Sequence, residues 1–444
     1  MDLAVLGGTL VTPSGQVRAH LYVRAGRVAA VSTERLSARE EVDASGLLIL
    51  PGVVDAHVHF MDPGDPSRED FPTGSAAAAV GGATTVIEHT HAAPVVTAAD
   101  LLGKADYLRS RSLVDFGLAA HAWRGRLGEA AAVWEAGALF VKAFTCTTHG
   151  VPGLTSADLQ ELFTSLARVG GVCLVHAEDE ALTAEAERRL REAGRSDGGI
   201  LPQWRNREAE LVAAATVCVL ARRAGARVVL AHASSPEVVD LARAVGGVRV
   251  ESCPQYFHLR EEEVGRHGAF RKFTPPARAR TEEELDAMWE RLRDGRIDYV
   301  ATDHAPATRR QKQEGSIWDV HFGLPGVETT LTLMLNGVAR GRLSLPRLVE
   351  VLCEVPARLY GLYPRKGALL PGSDADLVLV DPGREHVLGD DRIVSKAGWT
   401  PYAGMRVRGA VVRTYVRGRL VAEEGRPVAE PGWGRWVRRV ESQA

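Results

Sequence analysis

Runs of apolar β-forming residues recur through the middle of the chain, and several stop abruptly at a His, Lys or Asp. Eight are strand candidates: Leu47–His57, Ala83–Thr90, Asp115–Ala122, Ala138–Phe144, Val172–Glu178, Arg227–Ser235, Val248–Tyr256 and Asp298–Ala305. Stretches with helical spacing lie between them, among them Asp158–Ala167, the Ala- and Val-rich Glu208–Ala224, and Glu282–Arg293. This alternation predicts βα units, and eight of them predict an α/β fold of the (β/α)8 TIM-barrel type. The units are spaced by about twenty to fifty residues, which excludes a short-period solenoid.

The two ends read as short strands separated by turn residues. Near the N-terminus the turns fall at Ser14-Gly15 and Ala25-Gly26; near the C-terminus Ala375–Asp381 is a strand and Arg413–Ala422 a hairpin turning at Gly418. The termini are therefore expected to meet in one small β-sandwich, residues 1–50 with 365–444, beside a barrel of residues 51–364. Gly194–Asn206 and Ala307–Phe322 show no periodic pattern and follow site-bearing strands, so they are expected to be structureless lids over the barrel mouth.

Composition narrows the partners. The chain has 444 residues, 45% hydrophobic and 25% charged, with a net charge of −2. That balance is globular and gives no reason to expect nucleic acid or an anionic membrane as a partner. The five cysteines (Cys146, Cys173, Cys218, Cys253, Cys353) are dispersed, which suits a reducing cytoplasm rather than a disulfide framework. The first residues lack the basic and apolar regions of a signal peptide, and no apolar run reaches the ~20 residues of a membrane span. A cytoplasmic location is expected. Trp204-Arg205-Asn206-Arg207-Glu208 is too short for a basic-aromatic nucleic-acid patch and reads as a helix start at the edge of the mouth.

A barrel strand that ends in a polar side chain delivers it to the C-terminal mouth. His57 and His59 are two apart on one strand and so share a face. Such a pair alone is as often two backbone-bonded histidines as a metal site. Here four further strands end in Lys142, His176, His232 and Asp303, and the set implies a metal centre. Lys142 closes an apolar run where an ammonium must be paired or neutralised. A salt bridge across the mouth and an amine that reacts with carbon dioxide both satisfy that demand. His176 and His232 each cap apolar residues; together they supply ligands for a second cation. Asp303 can bind metal and accept the proton of an attacking water, or cap the next helix. Two cations ~3.5–4 Å apart would bring the pKa of a bridging water near neutrality.

These segments resemble a known family. Pro51-Gly-Val-Val-Asp-Ala-His57-Val-His59, Val141-Lys142-Ala143-Phe144, Val175-His176-Ala177-Glu178 and Ala301-Thr-Asp-His-Ala-Pro are similar to the amidohydrolase superfamily. Within it the chain resembles the cyclic-amide group of hydantoinases or dihydropyrimidinases, allantoinases and dihydroorotases. Glu251-Ser-Cys-Pro-Gln-Tyr, Thr274-Pro-Pro-Ala-Arg and Gly323-Leu-Pro-Gly-Val-Glu-Thr add to that likeness. The resemblance implies two divalent cations, zinc first, with cobalt, manganese or nickel as alternatives. His57, His59 and Asp303 would hold one and His176 and His232 the other. Lys142, carboxylated by carbon dioxide, would bridge them, and Asp303 would be general base and then acid. It implies a small cyclic amide as the substrate and a homodimer or homotetramer as the assembly.

Departures from the subfamilies bear on the ring opened. Dihydroorotases carry an Arg where this chain has Met61, and losing a charge-assisted carboxylate anchor costs ~1.5–3 kcal/mol. Hydantoinases place a Tyr where this chain has Thr147. Arg68 could replace the missing anchor or serve as a loop salt bridge. Met61, Arg68, His89, Thr147 and Pro275 are the expected substrate contacts, with His91 beside them; Glu328 and Asn336 are assigned to the helix after strand eight. The expected reaction is hydrolysis of a hydantoin, ureide or imide ring. The alternatives are dihydroorotase-type activity, hydrolysis of a linear N-acyl amino acid, and a non-catalytic scaffold, which would be expected to lose ligands.

Overall fold

The structure is a computed structural model that describes residues 1–440. Its middle is a ring of eight parallel strands: β1 (Val53–Val58), β2 (Ala83–Glu88), β3 (Asp115–Leu118 continuing as Ala120–His121), β4 (Val141–Phe144), β5 (Val172–His176), β6 (Arg227–Leu230), β7 (Val248–Ser252) and β8 (Tyr299–Val300). The first part of β3 pairs with β2 and the second with β4, and from β4 to β8 each strand pairs with the next. A parallel bridge between Val58 and His304 and a 2.7 Å bond from the His59 N–H to the His304 carbonyl close the ring between β8 and β1. The chain thus forms a TIM barrel with a β-sandwich at its side. Nearly every barrel-strand residue is buried, as expected where side chains fill the barrel on one face and helices cover the other.

Helices start and stop on local signals. The helix Ser156–Arg168 begins on a reciprocal Thr155–Asp158 capping box and turns Leu159, Leu162, Phe163 and Leu166 to the barrel, the i, i+3, i+4, i+7 stripe of an amphipathic helix. The helix Arg207–Ala224 starts on Asn206 and stops at Gly225, whose φ of 63° only glycine adopts without strain.

Both chain ends contribute to one nine-stranded sheet. Leu48–Pro51 pairs in parallel with Leu3–Thr12 and antiparallel with Leu377–Val387, so N-terminal and C-terminal strands join there. The sheet encloses a second apolar core of Leu3, Val5, Leu10, Leu21, Ile49, Leu377, Leu379 and Tyr415. At the barrel's N-terminal base Lys366, with no exposure, lies 2.9 Å from Asp374 and 2.7 Å from Asp376, and it also pairs with Asp115 of β3.

Two expectations need correction. The final residues leave the sheet and lie along the barrel: Phe116 exchanges backbone hydrogen bonds of 3.0 and 2.8 Å with Arg435 and Val437. A short apolar stretch with tryptophans pairs with whichever strand edge the fold leaves open, and the first part of β3 offers that edge. The two lid candidates also have structure. Gly194–Asn206 contains the turns Gly198–Ile200 and Leu201–Trp204, and Ala307–Phe322 contains the helix Arg309–Gln313. Trp204 packs on Trp318 and Phe322 at 4.9 and 5.3 Å between ring centroids, an apolar contact between distant segments that local patterning does not show. Among the described residues no helix is long and apolar enough to cross a membrane. All five cysteines are free and buried.

Candidate active site

The six side chains, three on barrel strands and three just beyond them, converge at the C-terminal mouth. His57 lies in β1 and His59 one residue beyond it. The His57 Nδ1 donates to Glu251 Oε1 at 2.7 Å, and the His59 Nδ1 to the His89 carbonyl at 3.1 Å. With those protons engaged outward, each ring keeps its Nε2 lone pair for the centre. Both Nε2 atoms face Asp303 Oδ1, at 3.1 and 3.3 Å. Lys142 Nζ lies 3.2 Å from His57 Nε2. On the far side the His176 Nε2 donates to Glu178 Oε2 at 2.8 Å, which turns His176 Nδ1 inward to 3.0 Å from His232 Nε2. Donor atoms of His57, His232 and Asp303 all lie within 4.8 Å of one another.

Two of these residues sit in strained backbone. His232 has φ 37° and Asp303 φ 49°, a region that non-glycine residues seldom occupy. Neighbours hold both in place. The Glu251 Oε1 also accepts the His232 backbone N–H at 3.1 Å. Asp55 accepts the Thr302 backbone N–H at 3.0 Å and its hydroxyl at 2.7 Å, fixing the residue before Asp303. Burial pushes the Asp55 carboxyl up to about 6, against the pull of Thr302.

Electrostatics favour the metal-binding protonation state for His59, His232, Lys142 and Asp303, whereas Glu251 and Asp303 outweigh burial at His57 and raise its pKa. Burial drives the His59 imidazole down to about 4, so it is neutral at pH 7. His232 is held well below the ordinary histidine value by burial and by His176. Burial also lowers the Lys142 amine, and among the described residues no carboxylate forms an ion pair with it. For Asp303, burial works upward but His57 and His59 outweigh it, holding the carboxyl well below its usual range. Its side chain is 15% exposed, against 1%, 6% and 3% for those of His57, His59 and His176. Neutral imidazole nitrogens with carboxylate oxygen suit zinc and its neighbours, so the donor set fits a divalent cation.

The expected substrate contacts are differently placed. Met61 is buried, with φ 58°, and its sulfur accepts the Thr90 hydroxyl. Arg68 is 3% exposed and, among the described residues, pairs with no carboxylate. Its guanidinium donates to the carbonyls of Pro306, Ala305 and Phe322 at 2.9, 3.5 and 3.3 Å and meets His91 at 3.5 Å. It clamps the loop after β1 to the loop after β8, so neither the anchor nor the salt-bridge expectation describes it. Thr147 is exposed; its backbone N–H meets the Glu180 carboxylate and its hydroxyl accepts from Gly153. It therefore faces its own loop and not the ligand cluster. Pro275 is buried, and its carbonyl accepts the Tyr256 hydroxyl at 2.7 Å. His89 packs on His57 and His59, at 4.6 and 4.3 Å between centroids. As expected, Asn206 caps a helix start. Glu328 binds the backbone N–H groups of Val394 and Ser395, and Asn336 that of Arg408, so both tie the barrel to the C-terminal segment.

Some site residues are not visible in the sequence. Glu251 ends no apolar run. His149 stacks on His91 at 4.3 Å from a loop whose path local pattern does not predict. Arg205, 4% exposed, reaches Cys146 at 3.2 Å and Glu178 at 3.3 Å. With His176 it overcomes the effect of burial and takes Glu178 down to about 2.

A barrel mouth that gathers four imidazoles, a lysine and an ionised carboxylate defines a class, the metal-dependent barrel hydrolases. The chain belongs to the Amidohydrolase family, whose profile matches residues 48–421. It is 37% identical to an L-hydantoinase of Paenarthrobacter aurescens, over 100% of this chain and 99% of that protein. It is 38% identical to an allantoinase of Rubrobacter xylanophilus (98% and 97% covered) and 37% identical to a dihydroorotase of Halobacterium salinarum (93% and 94%). The solved L-hydantoinase (dihydropyrimidinase) from Arthrobacter aurescens superposes with a TM-score of 0.93 at 36% identity, covering 99% of this chain and 100% of that one. A solved D-hydantoinase gives 0.91 at 28% identity, with 99% of each chain covered. These relatives are cyclic amidohydrolases by name.

Proposed function

We propose that the chain opens a small cyclic amide ring, a hydantoin or related ureide, by hydrolysis of a C–N bond. The observation that carries the reading is the convergence of donor atoms carried on or just beyond five barrel strands, with the outer ring nitrogens of His57, His59 and His176 engaged by oxygen acceptors. In this reading His57, His59 and Asp303 hold one divalent cation and His176 and His232 a second. Lys142, as the carbamate formed when its neutral amine adds carbon dioxide and releases a proton, joins the two. Zinc fits best, and cobalt, manganese and nickel share the donor preference. Bound metal would supply an acidified water and polarise the scissile carbonyl.

The protein's own groups then do the remaining work. Asp303 is ionised, and its Oδ1 lies between His57 and His59. The other oxygen is left to take the proton of the attacking water and return it to the leaving ring nitrogen. Glu251 and Glu178 hold the imidazoles in their metal-binding tautomers. No free guanidinium stands at Met61 to bind a carboxylate, which favours a ring without one over dihydroorotate. A cytoplasmic homodimer or homotetramer completes the proposal, the location resting on five unpaired thiols.

Chelator treatment followed by zinc, cobalt or manganese should abolish and then restore ring opening. Turnover by fully metal-free protein refutes the reading. A panel of hydantoin, allantoin, dihydrouracil, dihydroorotate and an N-acyl amino acid identifies the substrate. Robust turnover of dihydroorotate would overturn the weight placed on Met61.

A further inference from the structure

Outside the six-residue set, one more imidazole rests against the cluster. His89 follows β2 directly and is 1% exposed. A ring nitrogen of His89 lies within 4.8 Å of one from each of His57 and His59. Neither its Nδ1 nor its Nε2 has a hydrogen-bond partner among the described residues. Buried polar side chains are almost always paired, so two unsatisfied nitrogens facing a cation-binding cluster point to a ligand. The ring is braced edge-on by Phe140 at 5.0 Å, which fixes its plane and offers no acceptor. The residue's carbonyl already takes the His59 Nδ1 proton at 3.1 Å, so side chain and backbone of one residue address the same partner.

We propose that His89 supplies a third imidazole nitrogen to the cation held by His57 and His59. This rests on the metal-hydrolase reading above and gives His89 a ligand's role in place of the substrate contact expected from sequence. His121 provides an internal comparison. It is 2% exposed, both of its nitrogens also lack partners, and its ring lies 6.0 Å from that of His89. Yet it belongs to none of the converging donor groups among the described residues.

The test uses the full chain, stripped by chelator and titrated with cobalt, followed by visible absorption and calorimetry. His89→Phe should weaken the tighter cobalt site by about 10–100-fold or more and shift its ligand-field bands. X-ray absorption should count one imidazole fewer per two-cation centre. His121→Phe should leave affinity and bands as in the wild type. If His89→Phe does not fold, His89→Gln is read in the same way. The assignment is overturned if the His89 variant titrates like the wild type, or if His121→Phe shifts the bands equally, since the effect would then be one of packing. A wild-type protein that takes up no cobalt defeats the metal reading itself, an outcome distinct from wild-type uptake matched by the His89 variant.

Discussion

Glu251 is fully buried, and its two oxygens serve three donors. Oε1 accepts from the His57 Nδ1 at 2.7 Å and the His232 backbone N–H at 3.1 Å; Oε2 accepts the Tyr299 hydroxyl at 2.6 Å. Glu251→Gln can keep all three contacts. Its carbonyl oxygen replaces Oε1, and its amide donates to Tyr299, whose proton then goes to Tyr360 at 2.7 Å. What is lost is charge assistance, about half the strength of such a bond, on a group that orients one proposed ligand ring and one proposed ligand backbone. We expect metal affinity to fall by about 10–100-fold with the fold retained. Glu251→Leu instead leaves the His57 Nδ1–H and the His232 N–H without an acceptor, at ~1–3 kcal/mol each. A total of ~2–6 kcal/mol is a large share of the ~5–15 kcal/mol that stabilises a typical domain, so this variant should show as loss of folded protein. Burial and Lys142 lower the His57 pKa, but Glu251 and Asp303 outweigh them and raise it. The assay, competition with a chromogenic chelator, therefore belongs near pH 8, where protons compete least for the ring. If Glu251→Gln competes as well as the wild type, Glu251 is a packing residue and the argument for its role fails.

Three further outcomes are expected. Lys142→Gln should bind less metal and lose more activity than the ~10–100-fold typical of an outer-sphere change, and isotope-labelled bicarbonate should give a carbamate signal in the wild type only; a signal in the variant would show that another lysine carries it. Lys366→Met should cost about 3–5 kcal/mol in urea denaturation, because it leaves buried Asp376 without a cation and leaves Asp115 and Asp374 with only Arg417 and Arg365; an unchanged midpoint would refute this. Glu328 has its carboxyl raised by burial to about 7 from 4.5, against the pull of two backbone N–H groups. The folded chain thus binds a proton that the unfolded chain has released between those values, so this group's contribution is full below 4.5 and is lost as pH rises through 7. The destabilisation caused by Glu328→Ala should therefore shrink from pH 5 to pH 8 in thermal melts, and growth with pH would contradict it.

The barrel, the joining of N- and C-terminal strands and the nearness of the six side chains were legible because each of those positions closes an apolar run, and such a run has one destination in this architecture. The rest was hidden where the site contradicts local propensity. Arg227–Ser235 and Asp298–Ala305 read as full strands, yet the ladders stop at Leu230 and Val300. Beyond those points the backbone turns to positive φ at His232 and Asp303. A strand continued to either residue would alternate side chains between barrel interior and helical shell and would not aim both at one centre. The sequence bears no mark of this, because the conformation is enforced by Glu251 and Asp55, distant in the chain. Arg68 was opaque for a related reason. Whether a buried guanidinium is free to bind a substrate anion depends on which carbonyls reach it, and those of Ala305, Pro306 and Phe322 arrive from the loop after β8, adjacent in space but far away along the chain. Apolar pattern therefore predicts where a side chain is delivered, whereas its final aim and availability depend on acceptors that only the closed barrel brings into range.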